Sequence, residues 1–199
     1  MRTTALRCLA CWLVLAATLP AAAQEFELSP FVGVRGGGQL SEQATNRPAN
    51  LDAAVSFGLA AAWEVTGEGR FVEAFWSRQE TETYLPGADV TVPVDVDLLQ
   101  VGGSYRWTGR SLEPFVSATV GAAFLSGPED ERDVVPAGSL GGGFRWNLSP
   151  RLALRVDARG YALFAASSVA IVCGGGCVAG LASGGTTQGE LTLAMSVGF

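Results

Sequence analysis

Eight stretches of this chain alternate between apolar residues and small or polar ones, and that period of two limits the fold more than any other feature. The clearest is 190–199, where Leu191, Leu193, Met195, Val197 and Phe199 share one face and Thr192, Ala194, Ser196 and Gly198 the other. Successive side chains of a strand point to opposite faces, so the pattern is a strand with one apolar side. The others are 26–35, 53–65, 70–78, 98–107, 112–124, 140–148 and 151–164. Most have the ~9–11 residues that a tilted strand needs to cross a bilayer. A soluble sheet finishing on such a strand would expose an edge prone to aggregation. A closed barrel pairs its last strand with its first and leaves no edge.

The connections sharpen this reading. Long ones at 36–52, 79–97, 125–139 and 165–189, rich in Gly, Pro, Ser, Thr and Asn, alternate with tight turns at 66–69, 108–111 and 149–150. A barrel with both termini on the periplasmic side has that order, with turns inside and loops outside. The expected fold is therefore all-β, an eight-stranded antiparallel up-and-down transmembrane β-barrel.

Parity assigns the faces. Val32, Val34, Val55, Phe57, Leu59, Leu99, Val101, Val116, Val120, Leu152, Leu154 and Val156 fall outward. Outward aromatics close both ends of this band: Trp63, Trp107, Trp146 and Phe199 at one end, Trp76, Phe124 and Phe164 at the other. They are expected to form interfacial girdles at the headgroup layers. Inward, Phe31, Phe75, Phe115 and Tyr161 face small residues such as Gly58, Ala60, Gly102, Gly143 and Ala194, as a narrow barrel requires. The inward charges are Glu25, Glu27, Glu64, Glu73, Glu113, Asp157 and Glu190 against Arg35, Arg106, Arg145, Arg155 and Arg159. Buried charges must be paired or hydrated. A lumen ion-pair network of Glu64, Glu73, Arg106, Glu113, Arg145, Arg155, Asp157 and Arg159, with the four rings as a plug, is expected to fill a barrel this narrow. Leu98 falls inward while Asp95 and Asp97 fall outward, so the membrane part of that strand is expected to begin near Leu99.

Residues 1–23 read as a cleaved signal peptide: Arg2 and Arg7, an apolar run from Leu9 to Leu19, and a Pro20-Ala-Ala-Ala23 cleavage site. The remainder, 24–199, is 176 residues, one domain. Without Arg2 and Arg7 the basic residues number 11 against 19 acidic, a net charge of −8 that argues against nucleic acid. A mean hydropathy of +0.28 with no later apolar run of helical spanning length suits dispersed alternation. Cys173 and Cys177, separated by three glycines, are read as a disulfide in the last outer loop of an exported chain, worth about 2 kcal/mol locally by loop entropy. The neighbouring apolar stretches 168–172 and 178–182 suggest a surface contact or a β-hairpin standing above the membrane.

With its leader, eight strands, alternating connections and terminal Phe199, the chain resembles the small OmpA/OmpX-type outer-membrane β-barrels. The segment 75–81, the Gly102-Gly-Ser-Tyr105 strand and the Cys173–Cys177 loop resemble a largely uncharacterised proteobacterial barrel family. The resemblance implies that Leu193, Met195, Val197 and Phe199 are the signal read by the barrel assembly machinery. One departure from that pattern is that the chain ends at the barrel, so the peptidoglycan-binding domain of full OmpA-like proteins is expected to be absent; no cofactor is expected.

The chain contains neither histidine nor lysine, which removes the usual base of membrane-barrel hydrolases and Ser–Lys arrangements alike. An acid/base pair among the inward carboxylates is the remaining enzymatic reading, and structural ion pairs are preferred to it. The glycine triplets at 36–38, 141–143 and 174–176 have no lysine and no following helix, so they are not phosphate loops. Metal ligation has no histidine and carboxylates interleaved with arginine. The expected function is thus an exported outer-membrane barrel, not an enzyme, monomeric, in contact with outer-membrane lipid and lipopolysaccharide. It would act structurally or through its outer loops, whose ligand the sequence does not name. The alternative is a narrow porin-like channel for ions or small solutes.

Overall fold

In the computed structural model the described residues are 26–42, 48–50, 52–65, 67–85, 90–126, 132–164, 169–173, 177–182 and 186–199. The expected leader, and with it Glu25, lies outside them. Twelve strands are formed: β1 (Phe26–Gly36), β2 (Gln39–Glu42), β3 (Pro48–Asn50), β4 (Ala54–Glu64), β5 (Arg70–Leu85), β6 (Val90–Arg106), β7 (Leu112–Ser126), β8 (Arg132–Asn147), β9 (Leu152–Leu163), β10 (Val169–Cys173), β11 (Cys177–Ala182) and β12 (Thr186–Gly198). Eight of them close into an antiparallel barrel in the order β1-β12-β9-β8-β7-β6-β5-β4. The seam joins β1 to β12 with Leu28 opposite Val197 and Arg35 opposite Glu190. At its end the Phe199 amide donates to the Phe26 carbonyl at 2.9 Å. The other four strands form a separate sheet in the order β10-β11-β2-β3 at the loop end of the barrel.

The tight turns follow from local chemistry. Val65 N donates to Arg70 O at 2.9 Å and Arg106 N to Gly69 O at 2.8 Å. Gly69 has φ +76°, and a Cβ there would lie 2.1 Å from Arg106 O, so only glycine fits.

Two of the long connections are shorter than the sequence implied. β5 runs to Leu85 and β6 starts at Val90, so most of 79–97 is strand; β8 starts at Arg132, which removes most of the 125–139 loop. The reason is that alternation continues after the apolar face has ended. Gln79 and Thr81 point inward and are buried, while Glu80 and Glu82 are exposed outside. A polar/polar alternation reads as loop in sequence, yet its backbone pairs as well as any other. Pro93 sits in β6 opposite Glu82, beyond the level where β7 begins pairing at Asp95, so its missing donor breaks no ladder bond on that side. Leu98 is fully buried inside and Leu99 is exposed outside, with Asp95 and Asp97 above the apolar band.

The burial is inverted relative to a soluble protein. Among the described residues 23 polar or charged residues are buried against 16 apolar ones, while Val120 (67%), Leu140 (72%) and Leu191 (60%) are exposed. A continuous apolar exterior of this extent is unstable in water and matched to lipid. Curling eight strands this tightly brings backbones together at inward glycines: a Cβ on Gly143 would lie 1.9 Å from Val156 O, and one on Gly58 2.1 Å from Trp76 O and 2.5 Å from the Phe31 ring. Gly143→Ala should therefore destabilise the folded barrel by about 1–3 kcal/mol in urea titrations followed by heat-modifiable gel mobility, the usual cost of overpacking. Gly189→Ala, where a Cβ would meet nothing within 4 Å, should leave the midpoint unchanged.

Candidate functional site: the charged interior and the outer sheet

Inward alternation from all eight strands stacks the lumen into three polar layers. Nearest the turns, Arg106 on β6 makes a two-pronged pair with Glu27 on β1, Nη1 to Oε2 and Nη2 to Oε1, each 3.1 Å. Arg145 on β8 lies with Nε 2.9 Å from Glu27 Oε2 and donates from Nη1 to Glu113 Oε2 at 3.2 Å and to the Asn147 side chain. The Arg106 guanidinium lies 4.3 Å above the centre of the Phe71 ring. This layer floors a recess of about 370 Å³ that opens at the turn end.

The middle layer is a four-membered ring of charges. Arg155 and Arg159, four residues apart on β9, share Glu73 of β5 and Asp157 of β9: Arg155 Nη2 reaches them at 3.2 and 3.0 Å, Arg159 Nη2 at 2.7 and 3.0 Å. Ser117, Thr119 and Ser139 accept further bonds from Arg159, and Gln100 accepts from Thr119 and Ser139. In the layer nearest the loops, Arg35 and Glu190 meet across the seam at 3.0 Å, with Ser77 and the Tyr161 hydroxyl bonded to the same carboxylate.

Rings and guanidinium planes alternate through these layers. Phe31 stacks on Phe75 at 5.2 Å and 12°; Phe75 carries Arg159 at 4.1 Å, Phe115 carries Arg155 at 4.1 Å, and Tyr161 carries Arg35 at 4.9 Å. A planar cation that stacks and forks onto carboxylates does what an ammonium would do poorly, which gives a physical reason for arginine here in a chain without lysine. Five arginines meet five carboxylates, and every one of those carboxylates lies 2.7–3.2 Å from an arginine nitrogen. The lumen is charge-neutral.

Of the expected network, Glu73, Arg106, Glu113, Arg145, Arg155, Asp157 and Arg159 come together in two of these layers. Glu64 does not join them: at the end of β4 its carboxylate accepts from Gly69 N at 3.2 Å and caps the turn. Glu27, Arg35 and Glu190, inward by parity, supply pairs instead. The rings Phe31, Phe75, Phe115 and Tyr161 are all buried. Outside, Trp63, Trp76, Trp107, Trp146 and Phe164 are exposed and Phe124 is half-buried. Phe26 links Trp63 and Phe199 at 5.2 and 5.9 Å. Leu193, Met195 and Phe199 are exposed, and Val197 on the same face is half-buried.

What the sequence reading missed is an apolar cap above the polar layers. Val94, Val96, Leu98, Ala123, Val135 and Leu163 are buried toward the loop end. The signal is present in the alternation of Val90-Thr-Val-Pro-Val-Asp-Val96, within the connection expected at 79–97. The hairpin foreseen around 168–182 exists as β10 and β11, with Cys173 directly opposite Cys177 in the backbone register. The two cysteine side chains lie outside the described residues.

No family model matches this chain, and no curated protein does. Solved structures do. Neisserial surface protein A aligns with a TM-score of 0.62 at 11% identity, covering 88% of this chain and 97% of that one. The outer membrane protein OprG from Pseudomonas aeruginosa aligns at 0.55 and 10%, over 87% and 95%. AlkL, whose structure was determined in lipid bilayers, aligns at 0.53 and 15%, over 92% and 94%. At these identities the likeness is one of fold, and the fold is that of the small OmpA/OmpX-type outer-membrane barrels.

Removing one partner of a shared buried pair leaves a charge uncompensated. Glu73→Ala should cost about 3–5 kcal/mol of unfolding free energy, because Arg155 and Arg159 then share one carboxylate. Glu68→Ala, whose pair with Arg70 is more than 60% exposed on both sides, should stay within about 0.5 kcal/mol in the same urea titration.

Proposed function

We propose that this chain is an integral outer-membrane barrel with a closed lumen, acting through the surface it raises above the membrane. The observation that carries the reading is the neutral, ring-separated stack of charges between Glu27 and Glu190, continued by the apolar cap. An ion entering from either side would have to break paired charges in a medium that does not repay the loss. The reading is non-enzymatic and monomeric. Residues 1–23 would be removed on export. The exposed tryptophans and phenylalanines would seat the barrel between headgroup layers, with lipid and lipopolysaccharide around it. The face bearing Leu193, Met195, Val197 and Phe199 would be read by the assembly machinery during insertion. A Cys173–Cys177 disulfide would close the tip of the β10–β11 hairpin, where directly opposed strand positions bring the two within bridging range.

The turn-end recess favours a second reading, a narrow channel in which that recess is one mouth. Conductance separates the two. Purified, folded protein in a planar bilayer should show no discrete steps above baseline, and reproducible steps would move the channel reading ahead. A double substitution of Phe75 and Arg159 by alanine, which removes a ring and the cation stacked on it, should introduce steps if the barrel remains folded. For the hairpin, maleimide labelling of denatured, unreduced protein purified from the cell envelope should find no free thiol; labelling of both cysteines would dismiss the disulfide.

A further inference from the structure

We propose that the open edge of β10 is a docking site for an extended, basic polypeptide segment, which would add to the outer sheet as a further strand. The inference rests on the surface-interaction reading above and names the chemistry of the partner.

Two strands end the outer sheet. β3 has three residues, begins with Pro48 and lies against β5 of the barrel, so its free edge is short, lacks a donor and is covered. Those are the devices by which natural sheets blunt an edge. β10 is longer and has no proline. Its five residues, Val169-Ala-Ile-Val-Cys173, contain no charge and no proline, three of them are β-branched, and among the described residues it pairs only with β11. An unguarded edge of this kind offers a row of backbone donors and acceptors to another strand.

Charge selects the strand. The described residues of 37–53, 78–97 and 125–139, which border the same end of the barrel, carry seven carboxylates and two arginines, and those of 165–189 carry no charge. The other described residues carry seven carboxylates and eight arginines, so among the described residues the negative excess lies at the loop end. Among the described residues there, Glu80 and Glu82 are exposed, and Arg78 is shared by Asp95 at 2.6 Å and by Asp97 and Glu80 at 3.4 Å each, which leaves Glu82 without a share of it and the group net negative. A second copy of this chain would bring an equal negative field to the edge and be repelled. A lipid surface bearing phosphate would be repelled as well. A lysine- or arginine-rich segment is drawn in, and its backbone then pairs with β10, so that the field sets the encounter rate and the ladder sets the residence time.

The test uses the folded protein in neutral phosphatidylcholine nanodiscs with fluorescent octapeptides alternating Lys with Val. Anisotropy should show saturable binding that weakens about tenfold or more between low and physiological salt as charges are screened. The Glu/Val peptide should not bind. Two further Lys/Val peptides, N-methylated at alternate residues so that one or the other edge is blocked, should differ, one binding like the parent and the other at least tenfold more weakly. Ile171→Pro should weaken the parent peptide while heat-modifiable mobility and unfolding midpoint stay native; Glu80→Gln with Glu82→Gln should reduce its salt dependence. Equal binding of both methylated peptides would mean ionic adsorption without strand addition and would overturn the proposal, as would equal binding of the Glu/Val peptide or concentration-dependent self-association. Absence of peptide binding by a folded, non-conducting barrel would sink this proposal and leave the closed-lumen reading standing. Steady conductance would sink that reading whatever the peptides do.

Discussion

The β1–β12 seam is the constraint on which everything else depends. Hydrocarbon offers no partner to a peptide N–H or C=O, so a sheet that crosses a membrane must hydrogen-bond to itself all the way round. Once eight strands do so, the radius is fixed, and the inside is wide enough only for side chains. Inward glycines at 58 and 143 follow from that radius, because neighbouring carbonyls already occupy the space a Cβ would need. So do the large rings opposite them: Phe31 pairs with Gly58 and Phe115 with Gly143 across adjacent strands.

A closed interior of this size could have been filled with aliphatic side chains, but outward faces already carry those, and a strand apolar on both faces would not be held in one register. Polar inward residues fix the register, since a slip by one residue would send Glu73 or Arg159 into lipid. The cost of burying them is met by pairing across strands: Glu73 of β5 holds two arginines of β9, and Arg35 of β1 holds Glu190 of β12. The ion pairs therefore tie together strands that are distant in sequence and neighbouring or opposed in space. Their contribution is to specificity of closure more than to net stability, as expected of buried charges that would cost little to replace in pairs and much to remove singly.

The loop end obeys different rules because water is available there. β5 and β6 continue upward past the apolar band with polar outward residues, and β2, β3, β10 and β11 build a small sheet of their own. Edges are permitted in that region, and β3 and β10 differ in theirs, one opening on a proline and the other with none. Among the described residues the charge imbalance lies at the loop end, while the lumen is electrically balanced.

Much of this was legible in the amino-acid order alone. A period of two, an apolar outward face and alternating long and short connections determine strand number, direction and facing, because those follow from local geometry and from the solvent on either side. Parity alone also placed Phe31, Phe75, Phe115, Tyr161 and the arginines inside. Tertiary structure decided which charges meet: parity puts Glu64 on the inward face with the rest, but only its height at the end of β4 leaves it capping a turn, outside the ion-pair layers. It also decided where strands stop. The residues 79–85 have no apolar face to announce them, and 90–97 carry theirs inward, beneath outward Asp95 and Asp97; both are strands because each already has a paired neighbour below to extend from. Pairing between β11 and β2, remote in sequence, likewise carries no local signal; it exists because the closed barrel delivers both segments to the same end.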